Sequence, residues 1–153
     1  MFQKECEVIE EVTEKNFNEV LPLIMEYQEF YGVESIDNEK NRLFFSQFAN
    51  NHENGILHIY RSDGKAIGFT TIYKGFSSTR AEIVGVLNDL YVQPSCRGKG
   101  YGKELISHAF KVAKSMGFAR LQWLTSQDNI EAQKLYNNSG ANRSSWFFYA
   151  KET

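Results

Sequence analysis

The 153-residue sequence predicts an α/β protein of the α+β kind, with a mixed, mostly antiparallel central sheet and helices on both faces. Three observations predict it. Strand-like and helix-like segments follow one another in the order β-α-α-β-β-β-α-β-α-β, which calls for a sheet covered by helices. An Asp63-Gly64 turn joins two of the strand-like runs, a hairpin signal. A glycine-rich stretch then joins a long strand to the most periodic helix of the chain. No internal repeat, low-complexity tract or Pro/Ser-rich linker divides the sequence, so residues 1–153 are expected to form one domain.

In order, Glu7 to Val12 reads as the first strand. Thr13 is positioned to cap a helix reaching about Phe30, with Val20, Leu21, Leu23, Ile24 and Tyr27 on one face and Gly32 ending it. Asp37 followed by Lys40 to Phe48 predicts a shorter helix, with Leu43, Phe44 and Phe48 turned inward. Ile56–Tyr60 and Ala66–Tyr73 form the hairpin arms. Glu82 to Val92 is a further strand, in which Gly85 marks a bulge or a close approach. Gly102 to Met116 is helical, since Leu105, Ala109, Val112, Ala113 and Met116 share a face and Gly117 stops it. Ala119 to Thr125 is the next strand. Asp128 with Glu131 resembles a capping box that opens a last helix ending at Gly140, and Trp146 to Ala150 is expected as the final strand.

Composition excludes several classes. With 12 Phe and 8 Tyr the chain has apolar surface enough to offset its ordering entropy, so it is not a disordered segment. Its 17 Lys+Arg against 19 Asp+Glu, a net charge of -2, give no electrostatic case for a nucleic-acid partner. No apolar run approaches the roughly 20 residues that span a bilayer, and the N-terminus lacks a secretory signal, so a cytoplasmic location without membrane contact is expected. Cys6 and Cys96 read as free thiols. Neither they nor the scattered His52, His58 and His108 have metal-ligand spacing, so no metal is expected.

Chemistry concentrates in Asn88 to Lys103. Gly98, Gly100 and Gly102 let backbone amides turn toward one point at a helix N-terminus, and Arg97, Lys99 and Lys103 add cations, which suits a phosphate. The same glycines could serve only a tight strand-to-helix turn. A nucleoside-triphosphate loop is disfavoured, because Arg97 stands at its first glycine position and Glu104 at its hydroxyl position. The dinucleotide pattern fails at Lys103, where its third glycine belongs.

The run Arg97-Gly98-Lys99-Gly100-Tyr101-Gly102 satisfies the R/Q-x-x-G-x-G/A pattern of the GNAT superfamily of N-acyltransferases, and the chain resembles that superfamily from about Glu7 to Lys151. Asn129, Ala132, Tyr136 and Gly140 resemble its second motif, and the wording Asn88 to Val92 and Trp123-Leu124-Thr125 looks most like small-amine, polyamine and amino-acid acetyltransferases. The resemblance implies the GNAT fold, acetyl-CoA as cosubstrate and a small-molecule amine as acceptor. It also implies a homodimer, to which Trp146-Phe147-Phe148-Tyr149 could contribute unless it is a core strand. A protein or peptide acetyltransferase and a non-catalytic acyl-CoA-binding domain stay open as alternatives.

By that resemblance, the amides of Arg97, Gly98, Lys99, Gly100, Tyr101 and Gly102, with Lys103, hold the pyrophosphate. Leu90, Tyr91 and Val92 line the pantetheine arm, and Asn129 contacts it unless it serves only the helix start. Tyr136 protonates the departing thiolate. Attack needs a neutral amine, and Asp89 is the candidate base or cation partner, with Glu82 in reserve; the neighbouring Asn88 is an amide and cannot be a base. Strand alternation implies that only one of Asn88 and Asp89 faces the substrate. Tyr27, Glu29, Tyr31 and Glu34 mix aromatics and carboxylates as an organic cation requires, although a solvated helix end explains them equally. Cys96 has no histidine placed to activate it as a nucleophile.

Overall fold

A computed structural model describes residues 6–153. It contains strands β1 (Glu7–Glu11), β2 (Gly55–Ser62), β3 (Lys65–Ser77), β4 (Glu82–Val92) and β5 (Leu121–Gln122), and helices α1 (Phe17–Phe30), α2 (Asn38–Phe45), α3 (Tyr101–Ser115) and α4 (Ile130–Asn137). The sheet order is β1-β2-β3-β4-β5. The first four strands pair antiparallel and β5 joins β4 in parallel, the mixed, mostly antiparallel sheet that the element order predicts. At the hairpin, Asp63 (φ 48°) and Gly64 (φ 78°) are both left-handed, as a two-residue turn between twisted strands requires.

Period-two alternation sorts the strand residues into two cores. Leu57, Ile59, Phe69 and Tyr91 pack with Val20, Ile24 and Phe45 beneath α1 and α2. On the opposite face Ile56, Ile72 and Leu87 meet Ile106 and Ala109 of α3, and Tyr60, Ile67 and Val92 meet Tyr101 and Leu105. Each fully buried Leu or Ile contributes roughly 1.5–3 kcal/mol, so both helical layers are clamped to one central sheet.

Two irregularities position the site. The β3–β4 register passes from Thr71↔Asp89 to Ile72↔Leu87, which leaves Asn88 as the extra residue of a bulge. The β4–β5 ladder consists of Gly85↔Leu121 and Val86↔Gln122 alone, so from Leu87 onward β4 has no strand on that side and the sheet splays. Gly85 is a close-approach point rather than the bulge: a Cβ there would lie 2.8 Å from the Phe118 ring.

Several boundaries differ from expectation. Asn16, not Thr13, precedes α1, because Thr13 closes an earlier turn by accepting the Lys15 amide at 3.3 Å. Asp37 does cap α2, accepting from the Glu39 and Lys40 amides at 2.9 and 3.1 Å. That start puts Asn41 and Phe45 inside and leaves Leu43 and Phe44 exposed, while Phe48 is buried in a following 3-10 turn. The strand expected over Ala119–Thr125 shrinks to two residues. Trp146–Ala150 forms no strand at all, since no neighbouring strand supplies a ladder for it among the described residues. No helix among them is long and apolar enough to cross a membrane.

Candidate active site

The phosphate-suited loop lies where β4 leaves the sheet. A 3-10 turn at Pro94–Cys96 leads into it, Gly98 (φ 79°) and Gly100 (φ 90°) adopt left-handed conformations, and the first α3 bond runs from the Glu104 amide to Gly100 at 3.1 Å. The amides of Gly98, Lys99, Gly100, Gly102 and Lys103 therefore have no acceptor among the described residues, and a Cβ added at Gly98 or Gly100 would meet open space. Gly102 is instead a packing glycine, whose added Cβ would come within 3.3 Å of Leu135 on α4. Lys99 and Lys103 are exposed, with no ion-pair partner among the described residues.

Arg97 does something the motif does not announce. Its amide donates to the Pro94 carbonyl at 3.3 Å and its Nε to the Val92 carbonyl at 2.8 Å, while the guanidinium lies 5.3 Å from the Phe30 ring centre and 5.6 Å from that of Tyr91. It pins the loop to the end of β4 and to α1. Glu26 strengthens the same junction, accepting from Tyr91 Oη at 3.2 Å and from Gln93 Nε2 at 3.0 Å. Burial and the Glu26 carboxylate push the Tyr91 phenol up to about 12. Tyr101 is buried, its ring 4.9 Å from Tyr60, so its side chain anchors the helix start.

Beside the splay, on the α1–α2 face, is a cleft of about 300 Å³ lined by Tyr27, Gln28, Lys40, Asn41, Phe44, Phe45, Tyr73, Asn88 and Asp89. The Asp89 carboxyl is 3% exposed. Its Oδ1 accepts from Asn88 Nδ2 at 3.1 Å, and Oδ2 has no hydrogen-bond partner among the described residues. Burial pushes its pKa up, against the smaller downward pull of the Thr71, Tyr27 and Asn88 groups. Burial, then the Asp89 charge, likewise raises the phenols of Tyr27 and Tyr73. Asn88 also donates to Tyr73 Oη at 3.2 Å. Both Asn88 and Asp89 thus line the cleft, contrary to the alternation expected of an ideal strand, because the bulge rotates the backbone between them.

Tyr136 lies on α4, half-buried, with its ring 5.3 Å from Trp123. Burial, and secondarily the Tyr31 phenol, push it up to about 12, so it keeps its proton throughout the neutral range. Tyr31 packs edge-on against Tyr27, their ring centres 4.9 Å apart. Asn129, rather than Asp128, caps α4, its Oδ1 accepting the Ala132 amide at 3.2 Å.

Of the sequence-selected residues, Tyr27 and Asp89 meet in one cleft, Tyr31 packs against Tyr27 outside its lining, Tyr136 lies apart on α4 against Trp123, and Glu29 and Glu34 are exposed outside the lining. The half-buried Leu90 and buried Val92 occupy the splayed stretch of β4. Glu82, the reserve base, is spent at the far end of β4 in an ion pair with Arg80 at 2.7 Å. Sequence reasoning did not select Tyr73, Asn41 and Gln28, the last two locked by reciprocal amide bonds of 2.7 and 2.8 Å, or Glu26. Tyr73 was within reach of a drawn β3–β4 register. Glu26 carried no local signal, being 65 residues from Tyr91.

A free-amide loop, a splayed strand and a tyrosine on the helix after β5 together match a known pattern, and the profile of the Acetyltransferase (GNAT) family covers residues 17–141. The chain belongs to the GNAT acetyltransferase family. This N-acetyltransferase is 36% identical over 130 residues to an uncharacterized N-acetyltransferase of Bacillus subtilis (strain 168), covering 85% of this chain and 86% of that one. It is 37% identical over 82 residues to a D-amino-acid N-acetyltransferase of Saccharomyces cerevisiae, a match spanning 54% of this chain and 51% of the yeast protein. Among solved structures, a probable acetyltransferase superposes with TM-score 0.82 at 28% identity, over 95% of this chain and 97% of that one. An aminoglycoside N-acetyltransferase in complex with CoA shares the fold, with TM-score 0.82 at 18% identity over 99% and 98%.

Proposed function

We propose that this GNAT enzyme transfers an acetyl group from acetyl-CoA to a primary amine of a small, polyamine-like or amino-acid-like molecule by direct attack. One observation carries the reading: a buried carboxyl, Asp89, with one oxygen unsatisfied, faces an aromatic cleft of about 300 Å³ at the mouth of the splayed sheet. A buried acceptor left without a donor costs free energy, and an incoming ammonium group would satisfy it. Tyr27 and Tyr73 add ring faces that attract the same cation. The cleft is the size of a small ligand. Matched relatives named for acting on D-amino acids, ornithine and thialysine support this class of acceptor.

The loop residues fit the coenzyme: free amides at Gly98, Lys99, Gly100, Gly102 and Lys103, open space over two left-handed glycines, and two exposed lysines. When bound, acetyl-CoA supplies the activated acyl group as a thioester. Leu90 and Val92 offer main-chain groups along the open side of β4. Asp89 takes the proton that the ammonium must lose before its nitrogen can attack, and Tyr136 holds a proton for the departing sulfur. Arg97 acts here as a brace, holding the loop to Val92 rather than reaching for phosphate.

The test is acetyl-CoA-dependent thiol release across polyamines, free amino acids, aminoglycosides, arylamines and a lysine peptide. Turnover on small amines that falls roughly 10²-fold in Asp89→Asn is the expected outcome. Turnover on the peptide alone would overturn the small-molecule reading.

A further inference from the structure

The wall of the acceptor cleft carries one charged side chain that the proposed reaction leaves unused. Of the nine residues that line the cleft, Asp89 is the one acid and Lys40 the one base. Lys40 sits in the first turn of α2, where its amide donates to the Asp37 carboxylate at 3.1 Å and its side chain is exposed. No carboxylate pairs with its ammonium among the described residues. The neighbouring Glu39 lies 3.9 Å from Arg42 instead, and Glu29 and Glu34 are outside the lining.

The residues around Lys40 fix its place on the wall. Asn41 is 5% exposed and exchanges amide bonds of 2.7 and 2.8 Å with Gln28, which ties the start of α2 to the helix that carries Tyr27. Asn88 is likewise engaged, donating to Asp89 at 3.1 Å and to Tyr73 at 3.2 Å, and the rest of the lining is aromatic. The cleft therefore presents two ionisable groups of opposite sign without a full set of partners. One is a buried carboxyl with an unsatisfied oxygen, and the other is an ammonium on a flexible four-carbon stem.

We infer that Lys40 is the specificity residue of this cleft: it takes a carboxylate of the acceptor while Asp89 takes the amine, so amines that bear a carboxylate are selected over polyamines. The inference rests on the proposed acetyl transfer at the same cleft and narrows it. Charge complementarity carries the step. An acceptor with an ammonium and a carboxylate matches the two groups one for one, and each of its charges leaves water for an opposite charge. A polyamine brings at least two ammoniums to a cleft with one carboxyl. The second either meets Lys40 or stays unpaired against aromatic rings, and both cost affinity. A single lysine thus supplies attraction for one class of acceptor and repulsion against the other.

The test compares acceptors that differ in the carboxylate alone. Ornithine and lysine are set against their methyl esters and against putrescine and cadaverine, the diamines left when the carboxylate is removed, with thiol release read at saturating acetyl-CoA. In the unaltered chain kcat/KM for the free acids should exceed that for esters and diamines by roughly tenfold or more, the worth of one charge-assisted hydrogen bond, with the difference in KM. In Lys40→Met the acid-to-ester ratio should fall to about one, and in Lys40→Glu the diamines should become the better acceptors. A merely structural role for Lys40 would not invert the preference, and an unchanged melting temperature shows that the variants fold. Equal kcat/KM on acid and ester in the unaltered chain, or a preference for the acid that survives in Lys40→Met, overturns the inference and leaves the acetyl-transfer reading standing. Silence on all of these acceptors beside turnover of an aminoglycoside or an arylamine does the same. Silence on every small amine overturns that reading, and this inference with it.

Discussion

The sheet's two ends solve the same problem differently. From β1 to β4, with α1, α2 and α3, side chains such as Val20, Ile24, Leu57, Ile59, Phe69, Ile72 and Leu105 reach 0–2% exposure. From β5 onward, no residue is buried. The first region is closed by its own side chains, whereas in the second every side chain, those of Asn129 and Tyr136 included, is half-buried or exposed. The difference teaches where truncation should tell on stability: strongly in the first region, whose side chains are buried, and little in the second, whose side chains are not.

Point truncations on either side sharpen that contrast most. Leu57→Ala removes a wholly buried side chain from the α1-facing core and should cost about 2–5 kcal/mol, read as a lower urea midpoint at unchanged m-value. Ile130→Ala, on the exposed face of α4, should change stability by no more than about 0.5 kcal/mol in the same assay. Equal costs would break the comparison.

Acid should attack the closed region rather than the open one. His58 on β2 is buried against His108, ring centres 4.6 Å apart, and burial, with His108 and His52 adding like charge, pushes it down to about 3. Its folded-state pKa is below the unfolded value of about 6.5, so the unfolded chain binds the extra proton between those two values. The stability due to neutral His58 is complete above about pH 6.5 and is lost progressively toward pH 3. Thermal melts should fall across that window, and His58→Leu should flatten the fall even if it lowers the melting temperature at neutral pH.

At the cleft, function and stability should move in opposite directions. The folded-state pKa of Asp89 is raised, so its charge opposes folding once pH exceeds the unfolded carboxylate value, and the penalty grows until the folded value is passed. Asp89→Asn should therefore stabilise the protein at neutral pH, by about 1 kcal/mol as is common when a functional compromise is relieved. Turnover should drop roughly 10²-fold, and the acid limb of the kcat/KM profile should vanish. Lower stability in Asp89→Asn would mean that the carboxylate is a structural hydrogen-bond acceptor, not a waiting site.

Legibility followed the same division. Where periodicity and turn chemistry act locally, as in β4, α3 and the Asp63-Gly64 hairpin, the elements were readable to within a residue or two at most boundaries. The α2 register was not, because Leu43, Phe44, Phe45 and Phe48 offer two apolar faces and only the Asp37 cap decides between them. The Asn88 bulge depends on a cross-strand register that no single strand encodes. Trp146–Tyr149 has strand composition but no strand, since composition does not supply a ladder and none of the described strands pairs with it.

The smallest expected effect concerns Arg97, the residue whose motif reading and geometry differ most. If it served phosphate directly, a lysine would largely replace it. With its Nε bonded to Val92 and its guanidinium over Phe30 and Tyr91, it is a planar brace that an ammonium cannot copy. Arg97→Lys should raise the KM for acetyl-CoA by roughly tenfold, the loss of about one charge-assisted hydrogen bond, with kcat unchanged. Phe30→Leu, which keeps the charge and removes one ring from the stack, should move KM in the same direction by a smaller factor. A normal KM in Phe30→Leu beside a raised one in Arg97→Lys would assign the effect to the Val92 hydrogen bond alone. Normal values in both would return Arg97 to the role of a dispensable surface cation, and the amides of Gly98, Lys99, Gly100, Gly102 and Lys103 would then carry coenzyme recognition by themselves.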